Sequence, residues 1–237
     1  MTASQREAAA PSGPAPAGGG PPPGPVQRVK EYFRKGFHDW IRELIEYRYL
    51  IALSVILVVV AAFLDYYSGV YVTAKGGTEV PDLILDRIEP IDLSPLFVYG
   101  YLVLVGALFA YPLFFHIRMF HAVLSQFSLL VVLRSIFMIF THLETPADAV
   151  PAHFPWIFQG LSFQNDMFFS GHTAIPFLGF YLFKDSPVRY LFLVGSIVMA
   201  IVVLAMHMHY SIDVFSAFFI TYCSYQMGTR AFDRLTP

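Results

Sequence analysis

Residues 190–227 read YLFLVGSIVMAIVVLAMHMHYSIDVFSAFFITYCSYQM. Two long apolar runs enclose a short polar knot, His207-Met208-His209-Tyr210-Ser211-Ile212-Asp213. Neither run carries a polar face that could meet water, so both predict helices that face lipid. The whole chain has the same bias: 56% of its 237 residues are apolar and 14% are charged. So few charges cannot cover a water-facing surface, which excludes an ordinary soluble domain. A net charge of −2 makes nucleic acid an unexpected partner. The single Cys223 permits no internal disulfide and no cysteine-based metal cluster, and reads as a small buried apolar residue.

Outward from that stretch, four more apolar runs appear. The six cover about 49–66, 97–115, 122–140, 168–183, 190–206 and 210–227. The fourth is short for a span, which needs roughly 17–25 residues. Loop charge argues for keeping it. Lys and Arg collect before the first run, at Arg118, at Lys184 and Arg189, and at Arg230 and Arg234. The alternate loops are poor in them: 67–96 is acidic and 141–167 has neither Lys nor Arg. Six spans with both termini cytoplasmic satisfy the positive-inside rule at every loop.

The expected fold is therefore all-α, a polytopic bundle of six transmembrane helices spanning 48–229, with a cytoplasmic tail at 230–237. Residues 1–27 are rich in Ala, Pro and Gly, do not read as a signal peptide, and are expected to form a disordered tail. Over 28–47, basic residues alternate with Phe33, Phe37, Trp40, Ile41, Leu44 and Ile45 at helical steps. That pattern predicts an amphipathic basic helix on the cytoplasmic membrane surface.

Ionisable groups inside spans are costly, about 2.5–3.5 kcal/mol each near the centre, and so mark function. Arg134, His172, His209 and Asp213 all fall at a similar depth on the non-cytoplasmic side of this topology. Asp65, at the end of the first run, reads as a solvated boundary residue. If residues 209–213 are helical, His209 and Asp213 share a face, and the carboxylate can hold the imidazole in one tautomer. The outward nitrogen then serves as nucleophile or base. In Ser170-Gly171-His172-Thr173, Gly171 allows close backbone approach and Ser170 with a helix N-terminus can bind phosphate oxygens. His172 can protonate a leaving alkoxide, and Arg134 supplies charge for the phosphate. His207 points elsewhere. Tyr210 reads as an interfacial anchor, and Met138, Met199, Met206 and Met208 as packing residues. His142, Glu144, Asp148 and His153 read as a solvated loop, with Glu144 and Asp148 within the class that binds a head-group amine.

These motifs resemble those of the sphingomyelin synthase family, a branch of the type 2 phosphatidic acid phosphatase superfamily. Its first motif, Cys-Gly-Asp-x-x-x-Ser-Gly-His-Thr, is matched by Asp166 and Ser170-Gly171-His172-Thr173, with Gln164 and Asn165 replacing Cys and Gly. Its second, His-Tyr-Thr-x-Asp-Val, is similar to His209-Tyr210-Ser211-Ile212-Asp213-Val214. Arg134, Thr141 and Leu143 match an Arg-x-x-Thr-x-x-x-Thr-x-Leu stretch, with Phe137 for its first Thr. Val80-Pro81-Asp82-Leu83 is faintly similar to Pro-Pro-Leu-Pro-Asp. The resemblance implies transfer of a phospho-head-group (phosphocholine, phosphoethanolamine or phosphoinositol) from a glycerophospholipid donor to a ceramide-like acceptor, releasing diacylglycerol. It implies His209 as nucleophile or base oriented by Asp213, His172 as acid, and a site on the exoplasmic or lumenal face of a plasma, Golgi or endoplasmic reticulum membrane. Arg134, Ser170, Gly171 and Asp166 would hold the phosphate or head group. Two His and one Arg supply acid, base and charge, so no metal or cofactor is expected. The same residues with water as acceptor would make a lipid phosphatase or a phospholipase C-type hydrolase, and intramembrane charge would also suit a silent scaffold or a transporter.

Overall fold

Residues 48–75 carry only Arg48, Asp65 and Lys75 as charges, and they form the longest helix, α2 (Arg48–Lys75). The computed structural model describes residues 25–155 and 165–232 of the chain. The chain divides after Arg42 into two compact units. A helix α1 (Pro25–Glu46) covers all but the last residue of the expected basic segment. The expected disordered tail lies outside the described residues up to position 24.

The remaining helices are α3 (Tyr101–Phe115), α4 (Ile117–Phe140), α5 (Gly171–Leu182), α6 (Val188–Ala205) and α7 (Ser211–Phe232). A π-helical turn, Leu96–Gly100, leads into α3. Among the described residues the regular structure is helical, apart from one isolated bridge between Thr78 and Leu143. Four helices among the described residues are long and apolar enough to cross a membrane: Arg48–Lys75, Leu96–Phe115, Ile117–Phe140 and Val188–Ala205. They are consistent with an integral membrane protein. The 12 residues of α5 rise only about 18 Å, against a hydrocarbon core of roughly 30 Å.

The outer faces of the helices are apolar. Val55, Ile56, Val59, Val60 and Phe63 of α2 are all exposed, a patch too large for an aqueous surface. Inside the bundle, small residues let helices approach closely. A methyl at Gly179 would lie 2.5 Å from the Phe192 ring, so α5 and α6 meet only because that side chain is missing. Ser54 of α2 and Ser125 of α4 share a 2.8 Å hydrogen bond, which satisfies both hydroxyls away from water.

Three readings of single residues need correction. Cys223 is exposed, because α7 turns that face outward. Tyr210 is 2% exposed and no interfacial anchor: its hydroxyl donates to the Glu144 carbonyl at 2.9 Å. Asp65 is not a solvated boundary. Helix α2 continues ten residues past it and ends where Gly76 adopts φ 72°, and Arg134 compensates the partly buried carboxylate.

Candidate active site

The site forms where α4 and α6 end and α5 and α7 begin. At the end of α6 the chain must turn sharply. Met206 caps the helix, and His207 adopts φ 54°, the left-handed conformation usual one residue past a cap. The His207 N–H donates to Leu204 O at 3.1 Å and the Met208 N–H to Val203 O at 3.0 Å, the two bonds of a Schellman motif. His207 is not glycine, and it is held from outside: its Nδ1 lies 2.8 Å from an Asp148 carboxylate oxygen, and Val150 N–H caps Met206 O at 2.9 Å. This reversal directs Met208 and His209 into the bundle, where both line a cavity.

Helix α7 starts at Ser211, so His209 is not on it. Its contact with Asp213 arises otherwise than by a shared helical face. Tyr210 is the cap residue and Asp213 the third helical residue, and Asp213 Oδ2 accepts the Tyr210 N–H at 3.2 Å, one half of a capping box. The same oxygen lies 3.2 Å from His209 Nδ1. A fully buried carboxylate (0% exposed) thus holds the ring and leaves Nε2 as the free nitrogen. The start of α7 is itself anchored. Asp82, in the loop after α2, accepts both the Ser211 N–H and the Ser211 hydroxyl at 2.7 Å. Its other oxygen accepts from Ile84 and Leu85 N–H at 2.8 and 3.1 Å. Burial pushes the Asp82 carboxyl up, but these hydrogen bonds outweigh it and hold the group below the usual carboxylate range.

His172 is the second residue of α5. Its ring is sandwiched between Phe97 and Tyr101, with both centroids 4.1 Å away, and its Nε2 meets no hydrogen-bond partner among the described residues. Arg134 of α4 lies against the start of α5, where Gly171 makes room: a Cβ there would sit 3.3 Å from Arg134 Nε. The guanidinium donates to Asp65 at 3.0 Å, to Phe169 O at 3.3 Å, and to Asp166. Asp166 is held in place by its neighbour. Asn165 adopts φ 58° and exchanges two hydrogen bonds with Thr145, at 3.0 and 3.1 Å.

Arg134, Asp166, Gly171, His172 and His209 all line one cavity of about 260 Å³, together with Asp65. Ser170 and Asp213 do not; both are wholly buried behind it. The Ser170 N–H donates to Asp213 O at 3.2 Å, which ties the starts of α5 and α7 together. Away from the charged end the lining turns apolar, through Ala62 on α2, Val131 and Phe127 on α4, Leu102 on α3 and Ile175 on α5. Phe127 lies two turns below Arg134, so the cavity reaches roughly 10 Å along the helices.

Sequence reasoning missed Asp65. A signal existed: an acid inside a hydrophobic run, with one Arg in another run to match it. Glu144 and His153 are exposed loop residues, and Asp148 holds His207.

No curated protein and no solved structure matches the chain. The family model described as PAP2 superfamily C-terminal matches residues 165–229. That segment contains Asp166, the start of α5 with His172, and the His209–Asp213 pair. Over that segment the chain is similar to the PAP2 superfamily, a likeness that fits a lipid enzyme of the phosphatase or phosphotransferase type.

Proposed function

We propose that the protein is a membrane phosphotransferase that moves a phospho-head-group from a glycerophospholipid to ceramide or a similar hydroxyl acceptor and releases diacylglycerol. One observation carries this reading: two histidines and an arginine meet at the charged end of a cavity whose other end is apolar. A phosphoester with acyl chains fits both ends at once.

In this mechanism His209 Nε2 attacks phosphorus while Asp213 keeps the proton on Nδ1. The bond from phosphorus to the glycerol oxygen breaks, and His172, protonated, gives its proton to that oxygen. His172 then takes the proton of the acceptor hydroxyl as the acceptor oxygen attacks the phosphohistidine. Both histidines return to their starting states. Arg134 holds the phosphate oxygens throughout. Asp65 and Asp166 give the charged end more anionic than cationic groups, which suits a head group bearing an ammonium better than inositol. Asn165 supports the resemblance to the synthase motif despite replacing its glycine, since φ 58° is open to Gly and Asn alike.

In the same reading the chain crosses the membrane six times, through α2 to α7, with both termini cytoplasmic and the cavity opening toward the exoplasmic or lumenal face. The basic helix α1 lies on the cytoplasmic surface. The short α5 completes its crossing with the segments on either side of it.

The test is to give purified protein phosphatidylcholine, phosphatidylethanolamine or phosphatidylinositol with labelled ceramide. A labelled phosphoceramide that disappears in His209→Ala supports transfer. Release of free phospho-head-group or phosphate at the same rate without ceramide shows hydrolysis. Hydrolysis is the second reading, favoured by the family match, which reaches the phosphatase superfamily and no further.

A further inference from the structure

The charged end of the cavity holds one permanent cation against two carboxylates. Arg134 is 13% exposed at its side chain, and Asp65 and Asp166 are each 19% exposed. Three of the five guanidinium N–H groups are already committed, to Asp65, Asp166 and the Phe169 carbonyl. One carboxylate is enough to neutralise an arginine, so the second leaves an excess negative charge. Asp166 belongs to the segment that leads into α5. Asp65 comes from α2, a helix that supplies no histidine to the site, and its Oδ1 also receives the Ser135 hydroxyl at 3.4 Å. The carboxylate sits in the lining of the cavity that holds both histidines, beside walls of Phe97, Tyr101 and Phe127. Few dipoles there can screen it.

We propose that Asp65 is a specificity-determining residue that admits phosphodiester monoanions to this site and disfavours phosphomonoester dianions. The inference rests on the cavity being a phosphoester site, as proposed above. A phosphate monoester carries about −1.5 to −2 charges near neutral pH, while a diester carries one. Each reaches Arg134 past the Asp65 carboxylate, and the second charge of the monoester is repelled. Asparagine has the same shape and can still accept from Arg134, but it lacks the charge. The substitution Asp65→Asn therefore isolates electrostatics from packing.

The probes are dioleoyl phosphatidate and dioleoyl phosphatidylmethanol, which share their chains and differ by one methyl group and one charge. Each competes in mixed micelles at pH 8 against whichever phospholipid the detergent-solubilised full chain cleaves. In the wild type, phosphatidylmethanol should inhibit at a concentration about tenfold below that of phosphatidate. Asp65→Asn should abolish or reverse that ratio, and Asp65→Glu should restore it. Equal inhibition of the wild type by the two lipids overturns the proposal, and this arm needs no variant to fold. An unchanged ratio in well-folded Asp65→Asn overturns it too. A wild type that cleaves no phospholipid rejects the phosphoester reading itself, and the role of Asp65 falls with it. Cleavage without discrimination rejects the role of Asp65 alone.

Discussion

Asp213 shows how much one side chain can do at a helix start. It closes the backbone of Tyr210, faces the ring of His209, and receives Ser170 N–H on its main-chain oxygen. Its second carboxylate oxygen meets no partner among the described residues. Asp213→Asn should thus unfold little of the protein but place an amide where an acceptor is needed, lowering turnover far more than substrate affinity. Replacing the proton donor, His172→Ala, should lower turnover by about 10²–10⁴-fold, read as product formation under saturating lipid. Tyr210→Phe removes a hydroxyl that reaches Glu144 O, with Val80 N–H at 3.4 Å on the same oxygen. It should cost about 1–2 kcal/mol of stability, measured by thermal unfolding in detergent. At this scale the sequence was only partly legible. The four-residue step from His209 to Asp213 made their contact foreseeable, yet it forms through a cap and not along a helix. Asp65 stood out as an acid inside a hydrophobic run, but its pairing was not legible, because its partner lies 69 positions away on α4.

Among elements, the start of α7 depends on a loop that belongs to α2. Asp82 satisfies the first N–H of α7 from outside, as a cap residue would from within. Asp82→Ala should destabilise the start of α7 by about 1–2 kcal/mol, seen as faster amide exchange at Ser211. Asp82→Asn should retain part of the protection. The carboxyl is held below its unfolded value, so its contribution is full above about pH 4 and is lost as pH falls through the lower folded value. A stability profile should therefore lose an acid-side step in Asp82→Asn. The packing of α5 on α6 sets a second requirement. Gly179→Leu should force Phe192 aside and cost about 1–3 kcal/mol or more, read as loss of a monodisperse detergent peak on warming. Loop charge and hydropathy placed most of these helices to within a few residues. They do not reveal that α2 runs on to Lys75, since Asp65 interrupts the apolar run and the arginine that compensates it lies on another helix.

For the whole molecule, the arrangement of charge predicts which loops share a side. Cysteines introduced at position 119, in the start of α4, and at 185, beside Lys184, should react with an impermeant maleimide only after the cytoplasmic side is opened. Cysteines at 148 and at 89 should react from the other side in intact cells. Reaction of 185 and 148 from one side would reject the six-span topology. Composition, hydropathy and loop charge alone point to an apolar, helical protein suited to lipid, because they are sums over residues and need no partner. The sequence also exposes the histidine motifs, whose members lie close together along the chain. What surrounds them comes from folding: a cavity lined by α2, α3, α4 and α5, an arginine shared by two carboxylates, and loops that brace both ends of the segment carrying His209. Those depend on contacts between residues tens of positions apart, and burying a charge in lipid is tolerable only where such a contact exists.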